Sequence, residues 1–433
     1  MRFFIGLVLT LALGVMGCSE ASGTGGTAGD GGNGGVGGDG GSGGISECQS
    51  PEDCDDDNEC TDDTCLAGVC EFMPVPDPTG PEEPGDLPGE GTTCGYYEGT
   101  CEGGSCTGTF ACTEAGIREA IAAGAGPHTF DCDGPTTVVT EAEIVIDSDV
   151  ILDGAGNLTV DGNRTHRVFS VPEGATAELR GLTITRGALH PNPEANVGGI
   201  DNLGTLTMVN STVSGNVGAG IANGGTLTAT GSSVADNPGG GIDNGGALTL
   251  NSSSVDVVSG ISGPITITNS TLWKVHAPDG LTLTSSTVVG EGIVLGSGSE
   301  VVLTSNIVSG PCLCGAFPPI DCADVVTSNG YNIESPGDTC GFDDPTDQAS
   351  VSAEALALGP LQDNGGPTMT HALLIEPTAS VAIDAIPADD CVDAEGELLQ
   401  DDQRGEPRFV FPSFGVAEPV GDGCDVGAFE VQL

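Results

Sequence analysis

Acidic and basic side chains that could act together on a substrate crowd into one stretch of this chain. Asp153, Asp161, Arg164, His166 and Arg167 fall within fifteen residues, and Arg180 and Arg186 follow soon after. A pair of carboxylates would serve general acid–base cleavage of a glycosidic bond. An Arg or Lys base beside bound calcium would serve proton abstraction from a sugar acid. The same residues have an ordinary use, because Asp153-Gly154 and Asp161-Gly162 are turn-forming dipeptides. A second acidic group, Asp53, Asp55, Asp57, Asp62 and Asp63, crowds one loop, and no Lys or Arg occurs between Phe3 and Ile117. Calcium would relieve that repulsion, so these aspartates are the candidate metal ligands. The loop departs from the EF-hand pattern, with Asn58 where Gly should stand and Thr64 where the bidentate Glu should stand. No residue is assigned a catalytic role. Arg404 and Arg408 are expected to pair with acids and fix the C-terminal end. Asp384 and His371 read as structural, and Trp273, in the strand-like NSTLW, as a packing residue.

The elements that would position such residues follow from composition. The chain has 433 residues with 72 Gly, 27 Pro, 4% aromatic and 17% charged residues, a profile of short strands and tight turns rather than a helical bundle. Its 63 acidic residues against 9 basic ones, a net charge of −54, exclude nucleic acid as a partner, because phosphate binding needs a basic footprint. Polyanionic glycans would also be repelled unless divalent cations bridged them. Between Gly187 and Gln403 the only formal positive charge is Lys274.

Residues 1–17 have the form of a signal peptide, with Arg2 before the apolar stretch from Phe3 to Leu13, which is too short to span a bilayer. The stretch ends in Val15-Met16-Gly17-Cys18, which resembles a bacterial lipobox, with Met16 a departure from the commonest pattern. The resemblance implies that Cys18 is lipidated and becomes the mature N-terminus, a stable membrane anchor when it carries several acyl chains. Ser19 points to the outer membrane of a cell envelope. Residues 18–46 combine this attachment point with a Gly-rich tether that has no apolar face to bury, with a root-mean-square span of roughly 30 Å.

Removing Cys18 leaves an even number of the 17 cysteines, in even local groups. Eight lie between Cys48 and Cys106, Cys112 and Cys132 form a pair, Cys312, Cys314, Cys322 and Cys340 make a group, and Cys391 and Cys424 complete the set. In an exported chain these read as mostly local disulfides, and the absence of any CxxC pair argues against zinc. Residues 47–110 form a Cys-rich acidic module, too poor in apolar residues to fold without such staples. It resembles the acidic Cys-rich modules of exported myxobacterial proteins, which carry no general activity.

From residue 111 the chain changes character. Residues 113–124 predict a short amphipathic helix, with Thr113 as N-cap, Gly124 at the C-cap and Ile117, Ala120 and Ile121 on one face. A stacked-repeat body needs such a cap over its open end. Repeats then dominate. Ile200, Ile221 and Ile242 recur every 21 residues, as do Leu206, Leu227 and Leu248, and Val213, Val234 and Val255. Asn202, Asn223 and Asn244 keep the same phase, which predicts a turn-stabilising ladder rather than an active site, because a catalytic group need occur only once. The period predicts a right-handed parallel β-helix of about 20–21 residues per coil, with equivalent side chains stacked about 4.8 Å apart. Roughly eight or nine coils would make a rod of about 40 Å.

Residues 311–433 break this phase. LGPLQDNGGPTMTHALL, VAIDA, DQRGEPR and CDVGAFE stand at Leu358 to Leu374, Val381 to Ala385, Asp402 to Arg408 and Cys424 to Glu430. With them the chain resembles exported right-handed β-helix proteins that end in a choice-of-anchor Q region, IEPTASVAIDA replacing the usual PGSPAIDA. The resemblance covers about three quarters of the chain, implies a surface or secreted protein, and implies no defined reaction. The expected layout is therefore signal peptide (1–17), lipid attachment and tether (18–46), Cys-rich module (47–110), cap and β-helix (111–310), and a C-terminal β-helix end (311–433). The expected function is a lipid-anchored, non-catalytic adhesion, scaffold or ligand-display module that meets surface polysaccharide or protein. The alternative is a polysaccharide lyase or glycoside hydrolase in the β-helix groove, an analogy at the level of the fold alone.

Overall fold

The computed structural model describes the backbone at 61–66, 69–74, 93–94 and 99–102 and from 105 onward, apart from 190–195, 297, 316–319, 394–395, 409–422 and 433. Side chains are described from residue 107. The expected signal peptide and tether, with Cys18, Asp53, Asp55 and Asp57, lie outside the described residues. Asp62 and Asp63 stand in the strand Thr61–Leu66, paired antiparallel with Val69–Pro74.

The body is a right-handed parallel β-solenoid of about 10 turns. Each regular coil carries three strands, one on each of three faces. Val197–Asn202 lies on face A, Thr205–Val209 on face B and Thr212–Ser214 on face C. The next coil repeats them as Ala219–Asn223, Thr226–Thr230 and Ser233–Ala235, each paired parallel with its predecessor. Alternation decides which side chains enter: Leu206 and Met208 are buried while Thr205, Thr207 and Val209 between and beside them face outward. Inward residues stack in register. Ile200, Ile221, Ile242, Val258, Val275, Ile293 and Cys312 follow one another up face A. Val213, Val234, Val255, Leu272, Val288 and Val308 do so on face C. These rows join one continuous apolar core.

The coils are not of one length. Equivalent corner residues are 21 apart from Ser211 to Ser253, then 17, 16, 20 and 26 apart through Ser270, Ser286, Asn306 and Asn332. The contraction has a plain cause. Faces C and A, separated by a loop in the early coils, become one strand in Ser254–Gly260 and again in Thr271–Ala277. Strand lengths are held by the stacked core, so insertions and deletions fall on the corners. The stack is also longer than the repeats alone suggest, because Ser105–Ala111 and Ala125–Asp131 add to face B ahead of them.

The cap has the predicted form. Helix Glu114–Ala123 starts at Thr113, whose hydroxyl accepts from the Gly116 N–H at 3.1 Å, and it buries Ile117, Ala120 and Ile121 against the first coils. Arg118 pairs with Glu114 at 2.7 Å and donates onward to the carbonyls of Ala142 and Glu143, tying helix to solenoid. Cys112 is bonded to Cys132 beside this cap. At the far end Cys312 joins Cys340 and Cys314 joins Cys322.

The C-terminal segment does not simply end the stack. It folds back along face C of the later coils. Thr271 and Thr287 point outward from that face yet are 3% and 1% exposed. Gln403 accepts from the Thr271 hydroxyl at 2.6 Å, and the Thr287 hydroxyl accepts from the Ala428 N–H at 3.0 Å. Ile307 and Ile333, on the same outward row, form a second core with Leu356, Leu373, Ile386, Val426 and Phe429. The bond between Cys391 and Cys424 lies within it.

Candidate ligand-binding cleft

The acid–base stretch divides between two places: Asp153 and Arg180 lie on face B, while Asp161, Arg164, His166, Arg167 and Arg186 gather at the corner between faces C and A. Asp153 uses its Oδ1 to accept the Ala155 N–H at 2.8 Å, a turn contact on face B. Asp161, at the end of the face C strand, accepts from the Asn163 N–H and from Arg186, both at 2.7 Å. Arg167, just before face A, is buried between Glu143 at 2.6 Å and Asp201 at 2.5 Å. Arg180 pairs with Glu178 on face B at 2.6 Å, which holds its pKa above the ordinary value. His166 has its two ring nitrogens against the carbonyls of Arg167 and Thr140. Among the described residues every cation but Arg164 faces a carboxylate, and Arg164 sits exposed at a turn with φ of 59°. The charges of the stretch are therefore spent mostly on ion pairs and turn contacts that tie neighbouring coils.

The in-phase asparagines sit at the corner between faces A and B. The Asn202 amide donates to Asn223 Oδ1, and Asn223 donates to Asn244 Oδ1, both at 2.7 Å, with all three side chains buried. The row begins at Asn202 because Val171 stands in its place one coil earlier, which leaves Asn202 Oδ1 buried without a partner. It stops where Gly260 follows Asn244.

A second ladder, which sequence reasoning missed, runs along the corner between faces B and C. Each Ser Oγ or Asn Oδ1 accepts the backbone N–H of its equivalent one coil earlier, through Ser211, Ser232, Ser253, Ser270, Ser286, Asn306 and Asn332. The residue before each is left-handed: Asn210, Gly231, Ser252, Asn269, Ser285, Ser305 and Tyr331. The signal was present as Asn-Ser, Gly-Ser and Ser-Ser pairs at the first five of these corners, and it reads only once the corners are known.

Two clefts flank the C-terminal segment. The first, of about 390 Å³, is lined by Trp273, Asp256, Val257, Pro238, Leu361 and His371 among others. The first four come from the corner between faces C and A in successive coils, and Leu361 and His371 from the hairpin Leu358–Gln362 with Thr370–Leu373. Trp273 packs against the backbone at Gly290 yet is 52% exposed. Alternation turns it outward, because Leu272 before it faces the core. Leu272 pairs with Val288 and Lys274 with Gly292, so a bulge at 289–291 lies opposite the indole. His371 is half-buried, with Nδ1 against the Gly359 carbonyl at 2.8 Å, and burial holds its pKa below the ordinary value.

The second cleft, of about 590 Å³, is acidic, with Asp344, Asp389, Asp390 and Asp393 around Tyr331. Tyr331 donates to Asp390 at 2.6 Å, a bond that leads the causes pushing its pKa to about 12. No group of three or more His, Cys, Asp or Glu side chains among the described residues is placed to hold a metal ion.

Under the C-terminal segment lies a charged core. Arg404 pairs with Asp402 at 2.7 Å and lies 3.8 Å over the Phe429 ring, and Arg408 is wholly buried beside Asp425 and Glu430. Burial raises the pKa of Asp425 and of Glu430, and the Asp425 charge raises Glu430 further. These groups hold the segment on the solenoid and line neither of the two clefts.

Comparison with known proteins finds no matching family model, no matching curated protein and no matching solved structure.

Proposed function

We propose that the chain is a lipid-anchored envelope protein whose solenoid displays a ligand-binding surface without carrying out a reaction. The observation that carries this reading is that the cations of the acid–base stretch, Arg164 apart, are spent on ion pairs outside both clefts. Arg167, Arg180 and Arg186 are each held against carboxylates at 2.5–2.7 Å, and none of them lines the Trp273 cleft or the acidic one. Glycoside cleavage needs two carboxyl groups converging on one bond, and elimination needs a free base. The features that repeat coil after coil, the Asn and Ser ladders, serve the turns. The Trp273 cleft occurs once, and it is built jointly by the solenoid and the returning segment.

Anchoring follows from the lipobox-like Val15-Met16-Gly17-Cys18 and the Gly-rich residues behind it. The terminal motifs that resemble the choice-of-anchor Q region support a place at the outer membrane or cell surface. Anchoring is tested by labelling with a radioactive fatty acid. Label should enter the wild type and not Cys18→Ser. Catalysis is tested by incubating the folded chain with neutral and acidic polysaccharides, with and without calcium. Silence is the expected result, and new reducing ends or unsaturated sugars would overturn the non-catalytic reading.

A further inference from the structure

Resting on that display reading, we propose that the Trp273 cleft binds an uncharged pyranose glycan, with a sugar ring stacked on the indole and its hydroxyls donated to His371 and Asp256. Four features of the cleft carry this assignment.

The indole is a built platform. A Cβ at Gly290 would come within 2.4–2.6 Å of Cδ2, Cε2 and Cε3 of Trp273, so the six-membered ring rests on a backbone position that only glycine can supply. Gly290 has φ of +124°, a conformation that side-chain-bearing residues rarely adopt. Seated on that backbone, the ring is still half exposed to the cleft. An exposed, rigid aromatic ring is costly in water and well matched to the C–H-rich face of a pyranose.

The polar groups are acceptors. His371 Nδ1 faces a carbonyl oxygen and so must carry the ring proton, which leaves Nε2 of the neutral ring as an acceptor. Asp256 stands directly before Trp273 in the stack, since Val255 pairs with Leu272 and Val257 with Lys274. Its Oδ2 accepts the Asp236 N–H at 2.7 Å, and its carboxylate stays an acceptor toward the cleft it lines. Sugar hydroxyls are donors that match both.

The charge selects against acidic sugars. No Lys or Arg lines the cleft, the nearby Lys274 is paired with Glu291 at 2.7 Å, and the chain is strongly acidic throughout. A uronate or sulfated glycan would bring a second carboxylate or sulfate to Asp256 with nothing to neutralise it.

The size is that of a short oligosaccharide subsite: 390 Å³ lies at the lower end of the range of roughly 300–1,000 Å³ usual for small-molecule sites. Pro238, Val257, Val289 and Leu361 supply apolar walls beside the indole.

Trp273 is the only Trp of the chain, so its fluorescence reports on this cleft alone. The full chain is titrated with gluco-, xylo-, manno- and N-acetylglucosamine oligosaccharides, with oligogalacturonate as the acidic comparison, by fluorescence and by calorimetry. A saturable fluorescence change with a neutral oligosaccharide is expected. Trp273→Ala, followed by calorimetry, should weaken that binding roughly tenfold or more, with Trp273→Phe falling between. Trp273 is too exposed for either change to unfold the chain, and an unchanged circular dichroism spectrum checks this. The assignment falls if no neutral oligosaccharide moves the fluorescence, if Trp273→Ala leaves binding intact, or if oligogalacturonate binds more tightly. Binding elsewhere with the indole silent would sink this site and leave the display reading standing. Product release would sink the display reading itself.

Discussion

Arg408 donates from Nη2 to the side-chain oxygen of Asn269 at 2.6 Å, across 139 residues of chain. The contact joins the terminal motif DQRGEPR to a corner of the solenoid, at one of the left-handed residues that precede the Ser ladder. Its guanidinium also donates to the carbonyls of Gly427 and Asp425.

Arg408→Met should therefore loosen the returning segment more than the coils beneath it. It removes a buried cation from beside Asp425 and Glu430 and strands Asn269, and loss of one partner of a buried ion pair costs about 3–5 kcal/mol. The expected outcome is early proteolytic cleavage within 350–433 and a lowered urea midpoint. Equal protection of wild type and variant would show that the segment does not depend on this tie.

Stability should fall as pH rises, through Glu430. Burial and the Asp425 charge raise its folded-state pKa from 4.5 to about 8. The folded carboxyl holds its proton more tightly than the unfolded one. Its contribution is complete below 4.5 and is lost as pH climbs through about 8. Other carboxylates add their own repulsion over the same window, so the comparison is with Glu430→Gln. The fall in melting temperature between pH 5 and 8 should be smaller in the variant, and parallel curves would refute the assignment.

The Asn ladder should respond by position. Asn223→Ala breaks bonds to Asn202, Asn244 and the Ala247 carbonyl. Asn202→Ala breaks bonds to Asn223 and the Thr226 carbonyl and removes an oxygen that already lacks a partner. Each unsatisfied buried group costs about 1–3 kcal/mol. Asn223→Ala should thus be the more destabilising in chemical denaturation, and the reverse order would mean that the row is not energetically continuous.

The Cys112 to Cys132 bond closes a loop with a sequence separation of 20 across the cap. Replacing both cysteines by Ala should cost about 3 kcal/mol by loop-closure entropy. Hydrogen exchange should show the loss first in Glu114–Ala123 and Ala125–Asp131. Uniform loss along the solenoid would indicate that cap and coils melt as one unit.

The solenoid was legible because its signals are local and repeat. Alternation within TLTM, TLTA and ALTL sorts inward from outward residues, and the 21-residue phase of Ile200, Ile221 and Ile242 sets one coil on the next. The cap was legible for the same reason, since Thr113, Ile117, Ile121 and Gly124 belong to one helix and its two caps. The shortened coils were less so, because a fused corner such as Ser254–Gly260 changes the spacing without changing the strand pattern.

Tertiary structure alone decided what covers the solenoid and where its cleft lies. Ser254, Thr271 and Thr287 carry the small polar side chains of a solvent-facing row, and a Thr hydroxyl is satisfied equally by water or by Gln403. Nothing near them in the chain tells which, because the cover arrives from more than a hundred residues away. Trp273 shows the same limit. Alternation after the inward Leu272 turns its side chain outward, but the surface it rests on, the bulge at 289–291 and the missing Cβ of Gly290, belongs to the next coil. Period and alternation encode how a residue sits in its own sheet. Which side chains meet across the fold is set by the packing of segments whose separation in sequence leaves no local trace.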